Sequence, residues 1–368
     1  ILKIYDQICQ AINKKIGNFT ELELLKTLNF STTSLLGQVS NVKNIEKYQE
    51  HPTFAAGLPH FAEGIWRMWG RDVFISLPGC LMLQNRLEDA LALIETFGQK
   101  LNNGLIPNLY ACGSRWNARD ATWFWTQAVI LFIKQVQETG NNNNNTSIKN
   151  LLTSEFLKNI TNIFKEIIFN HQNSINFIDQ GQDDQMARGG AEGFKIKAFI
   201  NQHGFISGGN QSNCGTWMDK MGNNGVPATS RHGCAVELTV LFYSLLKFIR
   251  KNSRKESSDK SSGPALFQNY FSDQDLAKFM IFEKSILKNF QSEFYVKKLN
   301  DKNQNQTDYF YNDCLYPHGH TSFEQRPNQF IAMTALDCAD LFDDDLQKEI
   351  IMSSLKNQML GRLGLATL

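Results

Sequence analysis

Arg119-Asp120-Ala121-Thr122-Trp123-Phe124-Trp125-Thr126-Gln127-Ala128-Val129 sets an oppositely charged pair at the mouth of a run too apolar to be a surface helix. The arrangement recurs. Arg71-Asp72 precedes Val73-Phe-Ile-Ser-Leu77, and Ser230-Arg231-His232-Gly233 precedes Cys234-Ala-Val-Glu237-Leu-Thr-Val-Leu241. A fourth instance reads Phe323-Glu324-Gln325-Arg326-Pro327-Asn328 before Gln329-Phe-Ile-Ala-Met333. Taken singly, such an Asp or Arg reads as a helix cap or an ion pair, and Asp72 is well placed to cap a helix beginning at Val73. Recurrence at four helix mouths predicts concentric helices instead. Inner helices are buried on most sides, and amphipathic partners at Leu87–Leu101, Ile148–Phe169 and Leu276–Phe290 lie outside them. The Arg-bearing loops then gather at one end of a ring. No stretch sustains period-2 alternation, so the expectation is an all-α fold without a large sheet.

Residues 1–50 carry apolar positions at helical spacing (Ile1, Ile4, Ile8, Ile12, then Leu22 to Leu28) and read as a helical lead-in to a main body over 51–368. The formal net charge is +1 with no basic stripe, which argues against nucleic acid or an anionic membrane surface as the main partner. No run reaches the length of a membrane span. Seven scattered cysteines without a CxxC pair read as reduced thiols of a cytoplasmic protein. His203, His232, His318 and His320 fall into no HxxxH pattern, and the acidic run Asp179–Asp184 lacks the spacing of a calcium loop. No metal and no cofactor are expected. The run Asn141–Asn145, the polar loop Lys251–Gly263 and the stretch Asp301–Asp308 read as loops.

The chemistry is concentrated in Gly208-Gly-Asn210-Gln-Ser-Asn213-Cys-Gly-Thr-Trp217-Met-Asp219-Lys-Met-Gly222. Its glycines permit turns that other residues resist, and Asn210, Gln211 and Asn213 supply neutral donors and acceptors. A lone carboxylate beside Trp217 and Met218 suits work on a polyhydroxylated ligand such as a sugar. Burial against those two side chains would raise a carboxyl's pKa, as a general acid requires, while Lys220 on the same side would oppose it. The bland alternative is a surface loop held by Asx-turns.

Several further stretches complete a pattern: Trp69-Gly-Arg71-Asp72, Gly104-Leu-Ile-Pro-Asn108, Arg119-Asp120 with Trp123 and Trp125, Gly225-Val-Pro-Ala-Thr229 and Arg326-Pro-Asn328. With the loop above, they resemble the C-terminal amylo-α-1,6-glucosidase domain of eukaryotic glycogen debranching enzymes from about residue 51 onward. That resemblance implies an (α/α)6 barrel and hydrolysis of the α-1,6-linked glucose at a trimmed branch of glycogen, by inversion. It implies Asp219 as general acid. It also implies Trp69, Arg71, Asp72, Arg119, Asp120, Trp123, Asn210, Trp217 and Arg326 as substrate-binding residues, in motifs expected to line the glucose pocket. The family pattern leads one to expect an acidic residue where His232 stands. It also puts the water-activating carboxylate and the last barrel helices after Leu368, and a glucanotransferase domain before residue 1. Inside the chain, Glu237, Asp313 and Glu324 are the substitutes to consider for that base. Other readings are a glucoamylase- or trehalase-like glucosidase of the same barrel class, or a glycogen-binding module without turnover.

Overall fold

The computed structural model describes residues 30–40, 50–56, 67–110, 114–142, 146–179, 181, 190–223, 225–253, 265–299, 307–317, 324–356, 360–361 and 364–365. The homopolymer tip at 143–145, the polar loop at 254–264, the stretch 57–66, and His318 and His320 lie outside them, as do residues 1–29 of the expected helical lead-in. Residues 30–35 are helical, and then the chain departs from that expectation. Leu36–Ser40 (β1) pairs antiparallel with Glu50–Phe54 (β2), so the boundary expected at residue 50 falls within a strand pair.

Apolar spacing explains where the helices form. Gly70–Leu77 (α1) runs into a π-helical turn at Pro78–Met82, and Leu87–Gly98 (α2) follows. Ala121–Asn142 (α3) is the helix behind Arg119-Asp120. The segment expected as one helix at Ile148–Phe169 is two, a single turn at Thr146–Lys149 (α4) and Ser154–Gln172 (α5). The Thr153 hydroxyl makes the division by accepting the Phe156 N–H at 3.0 Å, an N-cap bond. Helix α5 then buries Phe156, Ile160, Phe164, Ile167 and His171 at three- and four-residue steps. Val236–Ser253 (α6) buries every residue from Val236 to Leu246. Asp273–Phe294 (α7) opens on a reciprocal cap between Ser272 and Asp275 and buries only one stripe, Leu276, Phe279, Glu283, Ile286, Phe290 and Phe294. Asn328–Met333 (α8) and Asp344–Lys356 (α9) follow.

Helix α3 packs on α1, α2 and α6, while α6 packs on α7 and α8. Rings lock the inner pair together, with Trp123 5.2 Å from Phe242 and 4.9 Å from His171. A phenylalanine such as Phe242 taken fully out of water contributes about 1.5–3 kcal/mol. Of the four helices expected to be enclosed, α3 and α6 are, whereas α1 leaves Ile75 exposed and the short α8 buries only Asn328, Gln329 and Ala332.

The all-α expectation needs correction. Ile175–Ile178 (β3), Lys195–Ile200 (β4), Ile206–Gly208 (β5) and Gly233–Ala235 (β6) form one antiparallel sheet. After a separate hairpin of Tyr295–Leu299 (β7) and Thr307–Tyr311 (β8), Cys314–Leu315 (β9) joins beside β6 as its fifth strand. The short pair Leu360–Gly361 (β10) and Gly364–Leu365 (β11) stands apart. Strands of two to six residues give alternation no room to show, and β5 and β6 are buried at every position. Asp179, which opens the acidic run, is buried beside the end of β3, where burial raises its carboxyl against bonds from the Trp116 and Gly181 N–H groups.

Candidate active site

The sheet and the helix mouths bring together residues distant in sequence. The loop carrying Asp219 is the connection from β5 to β6, and α1 and α3 present their N-termini to it. Gly70 opens α1, and a Cβ there would lie 2.3 Å from the Pro107 carbonyl oxygen. Only glycine lets the Pro107-Asn108 backbone run against the helix start, where the Gly70 N–H meets Asn108 O at 2.7 Å. Two of the sequence motifs are thus one structural unit.

Arg71 then joins three segments through one side chain. Its Nε donates to both Asp120 oxygens at 2.9 Å, and its Nη1 donates to Asp219 Oδ2 at 2.9 Å. Asp120 has no exposed surface, whereas the Asp219 side chain keeps 20% of its own. Lys220 Nζ lies 3.3 Å from Asp219 Oδ1, but the lysine is almost fully solvated, so its attraction is screened. Arg71 Nη2 is buried without an acceptor among the described residues and points to a ligand oxygen or water as its partner. Asp72 is not the N-cap: Trp69 holds that position, and Asp72 sits in the first turn. Burial pushes the Asp72 carboxyl up, Arg71 pulls it down, and Asp120 and Asp219 add to the rise.

Other residues expected in the pocket have different places. Trp123 is fully buried between His171 and Phe242, in the core rather than in a pocket wall. Arg119 is a brace for the loop. Its Nη1 donates to Gly233 O at 3.0 Å, its Nη2 to Arg231 O, and its backbone N–H to Gly215 O at 3.0 Å. Asn210 ties the same loop to the preceding turn, with Nδ2 donating to Glu192 O at 2.8 Å and Oδ1 accepting the Ser212 N–H at 2.8 Å. Trp217 is partly exposed, and its indole N–H donates to Asn328 Oδ1 at 2.7 Å. His232 lies against Tyr316, ring centres 4.8 Å apart, with Nδ1 2.9 Å from the Ser230 hydroxyl.

A second ionic group lies behind the first. Arg231, with no exposed surface, grips Glu237 at 2.6 and 2.7 Å and both Asp313 oxygens at 2.9 Å. Arg326 Nη1 adds a bond to Asp313 Oδ2 at 2.9 Å. Burial alone would raise the Asp313 carboxyl, but Arg231, the Asn328 amide and Arg326 hold it below the usual carboxylate range. Glu237 and Asp313 are sealed from water, and Glu324 sits at the surface paired with Arg326. Arg231 was visible in the sequence only as the third Arg-bearing mouth. Its bonds to both carboxylates had no local signal.

An accessible carboxylate in a glycine- and amide-rich loop, steered by a buried guanidinium and preceded by a partly exposed indole, suits acid chemistry on a hydroxyl-rich ligand. No group of His, Cys, Asp and Glu among the described residues could hold a metal ion, and no helix among them is long and apolar enough to cross a membrane. The sequence profile of the amylo-alpha-1,6-glucosidase family matches residues 30–368. The glycogen debranching enzyme of Saccharomyces cerevisiae is 32% identical over 366 residues, covering 88% of this chain and 23% of the yeast protein. The chain therefore spans less than a quarter of that relative's length. With the profile running from Phe30 through every motif of the Arg71 network, this chain belongs to the amylo-alpha-1,6-glucosidase family.

Proposed function

We propose that the chain forms a glucosidase unit that releases α-1,6-linked glucose from trimmed branch points of glycogen, with Asp219 as the general acid. One observation carries the assignment. Of the two carboxylates bonded to Arg71, Asp120 is sealed and Asp219 alone is open to a ligand. In this reading Asp120 fixes Arg71, Arg71 aims Asp219, and Asp219 gives its proton to the glycosidic oxygen as the bond to glucose breaks. Inversion then has water attack the opposite face, helped by a second carboxylate about 6.5–9.5 Å away. Trp69 and Trp217 supply apolar surface for the sugar ring. The enclosed helices α3 and α6 with amphipathic α2, α5 and α7 support an (α/α)6 barrel as the framework. A 4-α-glucanotransferase domain elsewhere in the same protein belongs to this proposal, as does a cytoplasmic setting.

The test is Asp219→Asn in the protein that carries this chain. Glucose release from a glucosyl-branched maltooligosaccharide is expected to fall by about 10²–10⁴-fold, the usual contribution of general acid catalysis, with binding little changed. Retained turnover would remove Asp219 from the role. A panel of maltose, trehalose and isomaltose separates this activity from that of other barrel glucosidases. Binding of branched glucan without any turnover by the unmodified protein would identify a binding module.

A further inference from the structure

Asn328 opens α8 and has no exposed surface. Its Oδ1 accepts the Trp217 indole N–H at 2.7 Å, and its Nδ2 donates to Asp313 Oδ1 at 2.5 Å and faces the Met218 sulfur at 3.5 Å. A side-chain amide can be placed two ways round, but these neighbours leave one. An indole N–H only donates and a carboxylate only accepts. Asp313 cannot swing to follow Asn328, because Arg231 grips both its oxygens and Arg326 adds a third charged bond. The bonds therefore lead from a sealed ionic group, through one amide, to a partly exposed ring two residues before Asp219. Tethering the N–H edge inward leaves the apolar part of the indole as the part open to a ligand.

We propose that Asn328 is a positioning residue: it sets the orientation of Trp217 and, with its contact to Met218, the placement of Asp219 against a bound glucoside. This rests on the function proposed above. An amide serves both neighbours because it accepts at one atom and donates at the other. Aspartate would set a carboxylate against Asp313, and leucine can neither accept from the indole nor donate to the acid.

The experiment combines kinetics with a probe of the ring itself. Asn328→Leu is expected to lower kcat/KM on a glucosyl-branched maltooligosaccharide by about 10–100-fold, the range between losing one hydrogen bond and misplacing a reacting group. Trp217→Phe keeps an aromatic ring and removes the N–H from the other end of the same bond. The double variant is expected to fall no further than the worse single one, within about threefold, because both break the same Trp217–Asn328 bond. Multiplying effects would overturn the proposal. In protein labelled with 5-fluorotryptophan, the Trp217 line is the one missing from Trp217→Phe. Asn328→Leu is expected to move that line and leave the lines of the other five tryptophans in place. An unmoved Trp217 line overturns the proposal. Asn328→Ala gives the same readings if the leucine variant does not fold. If the unmodified protein releases no glucose from any α-1,6 substrate, the proposed function fails, and the fluorine line alone decides for or against the tether.

Discussion

His171 shows how a single residue acquires a measurable property from its surroundings. It is fully buried, lies tilted against Trp123 with ring centres 4.9 Å apart, and has Nδ1 2.7 Å from Ile167 O in the preceding turn. Burial lowers its pKa to about 4, with the Ile167 carbonyl opposing. Above about pH 6.5 both folded and unfolded chains carry it neutral, so it adds no pH dependence there. Between about 6.5 and 4 only the unfolded chain takes up the proton, and stability falls as pH falls. The expected loss across that window is about 3 kcal/mol, from about 1.4 kcal/mol per pKa unit. Denaturation midpoints measured across this range should decline for the native sequence, and His171→Phe should flatten that part of the curve.

Arg231 shows the same at the level of elements. It sits at φ +45°, a left-handed conformation costly for a side chain with a Cβ, just before β6. From there it joins Glu237 on α6 to Asp313 beside β9, and Asp313 in turn holds Asn328 on α8. Arg231→Met would leave two carboxylates buried against an apolar stem. Removing one partner of a buried pair costs about 3–5 kcal/mol, and chemical denaturation of the variant should show a loss of that size. Adding Glu237→Gln and Asp313→Asn should recover part of it. The exposed Lys195–Glu192 pair contrasts with this, because both side chains are substantially solvated and solvent screens their attraction. Lys195→Ala should barely move the midpoint.

At the scale of the molecule, stability should follow enclosure. Helices α3 and α6 pack on each other and between further helices, and α6 is buried at every residue over three turns. Among the described residues β1 pairs only with β2, and α9 keeps an exposed face that includes Ile351 and Met352. Segments with few buried contacts open locally at small cost, whereas the most enclosed ones exchange only through global unfolding. Amide hydrogen exchange should therefore be slowest in 121–142 and 236–253 and faster by orders of magnitude in 36–40 and 344–356. Uniform protection across these segments would contradict the layered arrangement.

The features legible in the sequence are those set by neighbours a few residues apart. Apolar residues at steps of three and four placed α2 and α7 to within four residues at each end, marked the starts of α3 and α6, and began α5 six residues early by merging it with α4. Glycines, amides and one acid between β5 and β6 marked the loop that carries Asp219, because turn chemistry is local. What the tertiary structure decided is pairing over distance. Arg71 and Asp219 are separated by 148 residues, and Trp217 and Asn328 by 111. Nothing local tells Arg71, which bonds two carboxylates, from Arg119, which braces backbone carbonyls. Nor does anything local tell Trp123, enclosed by His171 and Phe242, from Trp217, held at the surface by an amide. The sheet was invisible for a related reason: its strands are too short to display a period, and their hydrogen bonds go to partners far along the chain. Helices satisfy their backbone within themselves and so leave their pattern in the sequence. Sheet edges and buried ion groups are satisfied from elsewhere, and only the folded chain shows by what.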